Sequence, residues 1–256
     1  MRFLVVPKKY LYIGLSIFLL ILMLIINVSN SSMADVYFGK SMRKVPIYCV
    51  KTEEKKVAIS FDAAWGADKT RKIMDELEKH DCNATFFLVG FWIDKYGDIV
   101  KEIDSRGFEI GSHSNTHPDL TKLTRDKIAL ELSTNNQKLE NITGKKVNVF
   151  RSPFGAYNNT SIEEAEKLGL TTVQWDVDSL DWKGISAQTI CSNVLPKVKP
   201  GSIILCHNNS DHIVEALPTL LTTLKSRGYS VVSVSELIYK ENYSINSQGI
   251  QIKNGD

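Results

Sequence analysis

No two cysteines of this 256-residue chain stand at CxxC spacing, and only four occur, Cys49, Cys82, Cys191 and Cys206. That argues against a zinc–cysteine site. Cys82 and Cys206 fall near the ends of expected strands, where cysteine commonly serves as a small buried residue. An excess of one charge is also missing, with 31 Lys and Arg against 29 Asp and Glu. Three of the 31, Arg2, Lys8 and Lys9, lie in residues 1–34, which hold no acid, so the remainder carries 28 basic and 29 acidic residues. Nucleic-acid binding usually requires a basic face, so no nucleic-acid partner is expected. A near-neutral surface is compatible with an uncharged or zwitterionic polymer. Internal repeats and low-complexity runs are absent.

What is present begins with a hydrophobic run. From Tyr10 to Val28, 19 residues pass without a charge. About 20 apolar residues cross a bilayer as a helix. Lys8 and Lys9 place the N-terminus on the cytoplasmic side. The expectation is a single-pass membrane anchor with the rest of the chain outside the cytoplasm. The alternative is a secreted protein, since Ser32-Met33-Ala34 offers small residues for signal-peptide cleavage; the length of the run favours the anchor. The expected organisation is a tip and signal-anchor over 1–30, a polar linker over 31–54, a catalytic-sized domain over 55–240 and a polar tail over 241–256.

Within the domain, strand-like and helix-like segments alternate. Val57–Phe61, Ala84–Val89, Phe108–Ser112, Lys146–Phe150, Thr171–Trp175, Ser202–Leu205 and Tyr229–Val234 read as strands. Lys69–Lys79, Ile93–Ser105, Thr124–Asn141, Ser161–Leu168, Ala187–Val198 and Ile213–Ser226 read as helices, with a short one over Ser235–Tyr239. Seven strands alternating with helices predict an α/β fold of parallel βαβ units closing in a barrel-like way. In such barrels, chemistry gathers at the C-terminal ends of the strands.

The residues at those ends are chemically rich. They comprise Asp62; His113-Ser114-Asn115-Thr116-His117; Arg151-Ser152-Pro153-Phe154-Gly155; Asp178-Ser179-Leu180-Asp181-Trp182; and Leu205-Cys206-His207. Three of only five histidines lie there, two of them at i, i+4 spacing, and imidazole is a preferred ligand for zinc and related ions. His80 and His212, at a helix end and a helix start, read as surface residues. The loop Asn208–Asp211 reads as polar, able to contact sugar hydroxyls or to serve as loop chemistry alone.

These five segments, in order over about residues 55–238, resemble the five motifs of the NodB-homology polysaccharide deacetylases, carbohydrate esterase family 4. The resemblance implies a distorted (β/α) barrel and metal-dependent removal of N-acetyl groups from a cell-wall glycan such as peptidoglycan. It implies Asp62 as general base, Arg151 as the partner that holds it, and His113 and His117 as ligands of a divalent metal, zinc first. It implies the Phe154 N–H as oxyanion donor, Asp181 as the residue that tunes the acid His207, and Trp182 and Leu205 as walls for the acetyl methyl. One position departs from the family. Its first motif usually holds two successive aspartates, the second a metal ligand, and here that residue is Ala63. The variant Phe61-Asp62-Ala63-Ala64-Trp65-Gly66 is similar to the sporulation-type (PdaB-like) branch. Two functions follow: an active N-deacetylase, or a glycan-binding or morphogenetic protein that kept the groove and lost turnover.

Overall fold

The run Lys56–Ala63 becomes the central strand because its residues alternate between two environments. Val57, Ile59 and Phe61 belong to the larger apolar cluster, which also takes in the helices, while Ala58 belongs to a second, smaller one. Ser60 and Asp62, two and four residues on from Ala58, share its face, as period-two alternation requires.

The computed structural model describes residues 7–29 and 43–255. It divides into two units, Met1–Arg43 and Lys44–Asp256. In the first, Lys8–Ser29 forms a 22-residue helix, α1. Among the described residues, no helix is long and apolar enough to cross a membrane. The transmembrane span expected over Tyr10–Val28 is therefore not supported here. The expected cleavage site, Ser32-Met33-Ala34, and residues 31–42 of the expected linker lie outside the described residues.

The second unit holds strands β1 (Cys49–Val50), β2 (Lys56–Ala63), β3 (Thr85–Leu88), β4 (Glu109–Ser112), β5 (Val149–Phe150), β6 (Thr171–Thr172), β7 (Val177–Asp178), β8 (Ile203–His207), β9 (Ser230–Val232), β10 (Tyr243–Ile245) and β11 (Ile250–Lys253). The main sheet runs β6-β5-β4-β3-β2-β8-β7, with β9 beside the start of β2. Every pair in it is parallel. The path is open between β6 and β7, so the barrel is a partial one, as the short two-residue strands at both ends would produce.

Helices cover the outside. Thr70–Lys79 (α2) buries Ile73, Met74 and Leu77 at helical spacing. Ile213–Ser226 buries six residues, among them Leu217, Leu220, Leu221 and Leu224. The single helix expected over Ile93–Ser105 is two, Gly90–Lys95 and Gly97–Ser105. They meet at Tyr96, whose backbone leaves the helical region at φ −127° and ψ 38°.

Two boundaries need correcting. Residues 44–54 were expected as linker and 241–256 as tail, yet both enter the folded unit. β1 pairs in parallel with β11, and β10 pairs antiparallel with it. Short strands of mixed polarity carry little periodic signal, and their pairing partner lies about 200 residues away, at Cys49↔Ile250. β7 was likewise missed, since two residues are too few to show alternation.

Candidate active site

Each of the five strand-end segments singled out above contributes at least one residue to one cleft. A cleft of about 740 Å³ is lined by Asp62, His113, His117, Asp181 and His207, among others. Phe154, Trp182 and Leu205 line it too. Arg151 does not; it lies beneath, fully buried, bonded to Asp62. His80 and His212 stand elsewhere, each beside a glutamate of its own helix, at 2.9 Å from Glu76 and 3.0 Å from Glu215.

Register explains how the acid and base meet. β2 and β8 are parallel neighbours, and Asp62 is the partner of His207, as Ser60 is of Leu205. Side chains in register on adjacent strands project to the same face. The carboxylate and the imidazole are thus neighbours by construction, from positions 145 residues apart in the chain.

Asp62 Oδ1 accepts a hydrogen bond from Arg151 Nη1 at 2.8 Å. The same Nη1 donates to Ser60 Oγ at 2.8 Å, and Nη2 donates to the Gln174 carbonyl at 3.0 Å. The guanidinium stacks over Phe87, 4.2 Å from its centroid. Burial raises the Asp62 pKa, but Arg151, His113 and His207 outweigh it and hold the carboxyl below its ordinary value. Its second oxygen, Oδ2, lies 3.5 Å from His113 Nε2.

His113 is almost wholly buried. Its Nδ1 meets the Arg151 carbonyl at 2.8 Å, which assigns the proton to Nδ1 and leaves Nε2 as a lone pair toward the cleft. Burial is the largest influence on its pKa, which is lowered, so the ring is neutral. His117 is pushed down to about 4 by burial and by His113. Its ring packs between Trp65, at 5.4 Å, and Phe154, at 4.6 Å.

The loop that carries both imidazoles is strained and clamped. Ser114 and His117 both have positive φ, 65° and 59°. Such residues cost roughly 1–3 kcal/mol each and persist where the surroundings hold them. The helix Arg125–Thr143 supplies the hold. Asn135 Nδ2 donates to the Ser114 and Leu88 carbonyls at 2.7 and 3.0 Å, and Glu131 accepts from the Asn115 and Thr116 N–H groups. Sequence reading missed Asn135 and Glu131. The available signal was an asparagine on the apolar face of a helix, between Leu132 and Leu139.

On the opposite wall, Asp181 is fully buried. Its Oδ1 meets His207 Nδ1 at 2.8 Å, and its Oδ2 accepts from the His207 backbone N–H at 2.8 Å. Burial lowers the His207 pKa, but Asp181 more than offsets this, by hydrogen bond and by charge, and the net shift is upward. Two residues missed by sequence reading also line the cleft, Trp65 and Trp175. Asn209, Ser210 and Asp211, from the polar loop after β8, line it as well.

The donor set falls short of a three-ligand metal centre. Among the described residues, no group of three or more His, Cys, Asp or Glu could hold a metal ion. Two imidazoles are present, Asp62 is already bonded to Arg151, and the next residue is the fully buried Ala63. A catalytic zinc normally has three protein ligands.

Residues 50–173 match the family of polysaccharide deacetylases. That match ends before Asp181, Trp182, Leu205 and His207, which the cleft nevertheless contains. Two relatives are peptidoglycan deacetylases. The peptidoglycan-N-acetylmuramic acid deacetylase PdaA of Bacillus subtilis is 35% identical over 199 residues, covering 76% of this chain and 75% of that protein. A peptidoglycan-N-acetylglucosamine deacetylase of Bacillus cereus is 36% identical, covering 71% and 67%. The chain spans 62–75% of the length of the first curated relatives it matches. Among solved structures, a family 4 pseudoenzyme of Bacillus anthracis superposes with a TM-score of 0.73 at 35% identity, covering 75% of this chain and 68% of that one. A mutant of that protein has restored enzymatic activity.

Proposed function

This chain belongs to the polysaccharide deacetylase family, and from that membership and the cleft we propose that it is a hydrolase that removes N-acetyl groups from the glycan of the cell wall, peptidoglycan. One observation carries the reading above the rest. Two separately held pairs, Asp62 with Arg151 and His207 with Asp181, face one cleft from adjacent strands. A binding groove alone needs neither a base nor an acid.

The reaction divides between the two walls. Asp62, through the oxygen that Arg151 leaves free, takes a proton from the water that attacks the acetyl carbonyl carbon. Negative charge then develops on the carbonyl oxygen, where the Phe154 N–H is the assigned donor. The carbon–nitrogen bond breaks as His207 Nε2 gives its proton to the departing amine, while Asp181 holds Nδ1 and supports the protonated ring. Acetate and a free amine result. Trp182 and Leu205 wall the space for the methyl group, and exposed aromatics around the mouth, Trp65, Phe154 and Trp182, suit the apolar faces of sugar rings.

A carboxylate held as low as Asp62 is a weak base, since proton transfer is most efficient near matched pKa values. Family members are generally metal-dependent, and a bound divalent ion supplies a water of lowered pKa. Here zinc would be met by His113 and His117 alone.

A second reading is favoured by Ala63 and by the likeness to the pseudoenzyme: a glycan-binding or morphogenetic protein with little or no turnover. Location follows the sequence only. Lys8 and Lys9 before the uncharged stretch Tyr10–Val28 support a domain outside the cytoplasm, membrane-tethered or secreted. The Phe61–Gly66 motif supports a role in spore peptidoglycan.

The test is acetate release from defined peptidoglycan fragments and chitin oligomers, with and without added zinc. Wild type should release acetate, and Asp62→Asn or His207→Ala should lower the rate by about 10²- to 10⁴-fold. Glycan binding without acetate release by wild type would establish the second reading instead.

A further inference from the structure

Two carboxylates of the cleft take no part in the reaction just described. Asp178 and Asp211 line it in addition to Asp62 and Asp181, whereas no lysine or arginine lines it among the described residues. The positive arginine and lysine groups nearby stand outside this lining. Arg151 is fully buried beneath Asp62, and His207 is paired with Asp181. Lys69 Nζ donates to the Asn209 carbonyl at 3.0 Å and lies 3.4 Å from Asp211 Oδ1. Lys183 Nζ sits 5.2 Å from the centre of the Trp182 ring. Asp178 is fixed in place, its Oδ1 accepting the Leu180 N–H at 2.8 Å. Asp211 extends into solvent, its side chain 74% exposed.

We propose that Asp178 and Asp211 make the cleft selective by charge, so that it takes an N-acetylhexosamine whose other substituents are uncharged and disfavours one that bears a free carboxylate. The inference rests on the glycan-deacetylase reading and goes further, because the two relatives named above act on sugars that differ in this property. N-acetylmuramic acid carries a lactyl carboxylate, and N-acetylglucosamine carries none. Recognition of a carboxylate ordinarily relies on an arginine fork or a lysine point charge. The lining offers neither, and it holds the two further carboxylates of Asp178 and Asp211. Discrimination through a repulsive element against the wrong ligand is a general device.

The experiment separates charge from bulk. One oligosaccharide containing N-acetylmuramic acid is prepared as the free acid and as its neutral methyl amide. Each is titrated into the full-length chain while tryptophan emission is followed, since Trp65, Trp175 and Trp182 line the cleft. The amide should bind about tenfold more tightly than the acid at low salt. The gap should shrink as salt screens the exposed charge of Asp211. It should shrink further in the Asp178→Asn, Asp211→Asn double variant, where asparagine keeps an acceptor for the Leu180 N–H. Equal binding of the two forms, or tighter binding of the acid, overturns the proposal and leaves the deacetylase reading standing. A gap that persists in the double variant overturns the role of these two residues. Binding of neither form overturns the glycan reading of the cleft, and this inference with it.

Discussion

Asp62 and Asp181 are both buried carboxylates at strand ends, and their partners separate their roles. Asp62 is bonded to the Arg151 guanidinium, and its pKa lies below the ordinary value because Arg151, His113 and His207 outweigh burial. Asp181 is bonded to an imidazole that does titrate. His207 must be protonated to act as an acid, and its raised pKa extends that state to higher pH. Asp181→Asn removes the main upward influence while keeping a similar shape. The alkaline limb of the kcat/KM profile should therefore move to lower pH, and an unmoved limb would remove Asp181 from the tuning role. The same pair affects stability with the same sign. A folded pKa above the ordinary 6.5 means that the contribution is full below about pH 6.5 and is lost as pH rises through the folded value. Asp62 behaves oppositely, contributing above its ordinary 3.8 and losing that contribution as pH falls through its lowered folded value. Ala63 is a third residue with a clear expectation. It is fully buried, so Ala63→Asp should cost roughly 1–3 kcal/mol with a chelator present. Zinc should restore the melting temperature of the variant more than it raises that of wild type, if His113 and His117 join the new carboxylate in a three-donor site. At this scale the sequence was informative, because acids and imidazoles at strand ends are few and have clear chemistry. Asn135 and Glu131 were not legible, because their use depends on which loop their helix packs against.

At the scale of elements, the parallel strands and their helices were readable from apolar runs and helical spacing. The readings failed where an element is short or where a partner is remote. Gly201 illustrates the remote kind. It lies between β1 and β8 with φ +82°, and its carbonyl accepts the Val50 N–H at 2.9 Å. A Cβ there would lie 1.8 Å from the Val50 carbonyl oxygen, far inside contact distance. Left-handed strain of about 1–2 kcal/mol adds to overpacking of typically 1–3 kcal/mol. Gly201→Ala should therefore destabilise by about 2–5 kcal/mol in urea unfolding. A loss below about 1 kcal/mol would mean that β1 does not hold this position against the barrel.

At the scale of the whole second unit, the small sheet ties its two ends together. The fully buried Gln251 exchanges two hydrogen bonds with the Tyr239 backbone, at 2.9 and 2.7 Å, while β11 pairs with β1. Truncation after Lys240 removes β10 and β11 and leaves the edge of β1 unpaired. It should lower the melting temperature by at least about 5 °C, taking about 2–4 °C per kcal/mol for a unit of this size. Since the cleft lies at the opposite, C-terminal ends of the strands, acetate release at low temperature should persist. An unchanged melting temperature would show residues 241–256 to be the dispensable tail that their composition suggested.

The amino-acid sequence by itself determined the alternation of β and α, the face on which chemistry collects, and the residues that supply it, because periodicity and residue chemistry are local properties. It also carried the departure at Ala63 and the uncharged stretch at Tyr10–Val28. The tertiary structure decided what depends on partners far apart in the chain. It set Asp62 beside His207 by register, buried Arg151 under the base, and joined residues 49–50 to residues 250–251. It also gathered Asp178 and Asp211 in a cleft that no lysine or arginine lines among the described residues. Pairing and net charge at a point in space sum over distant segments, and no local pattern records that sum.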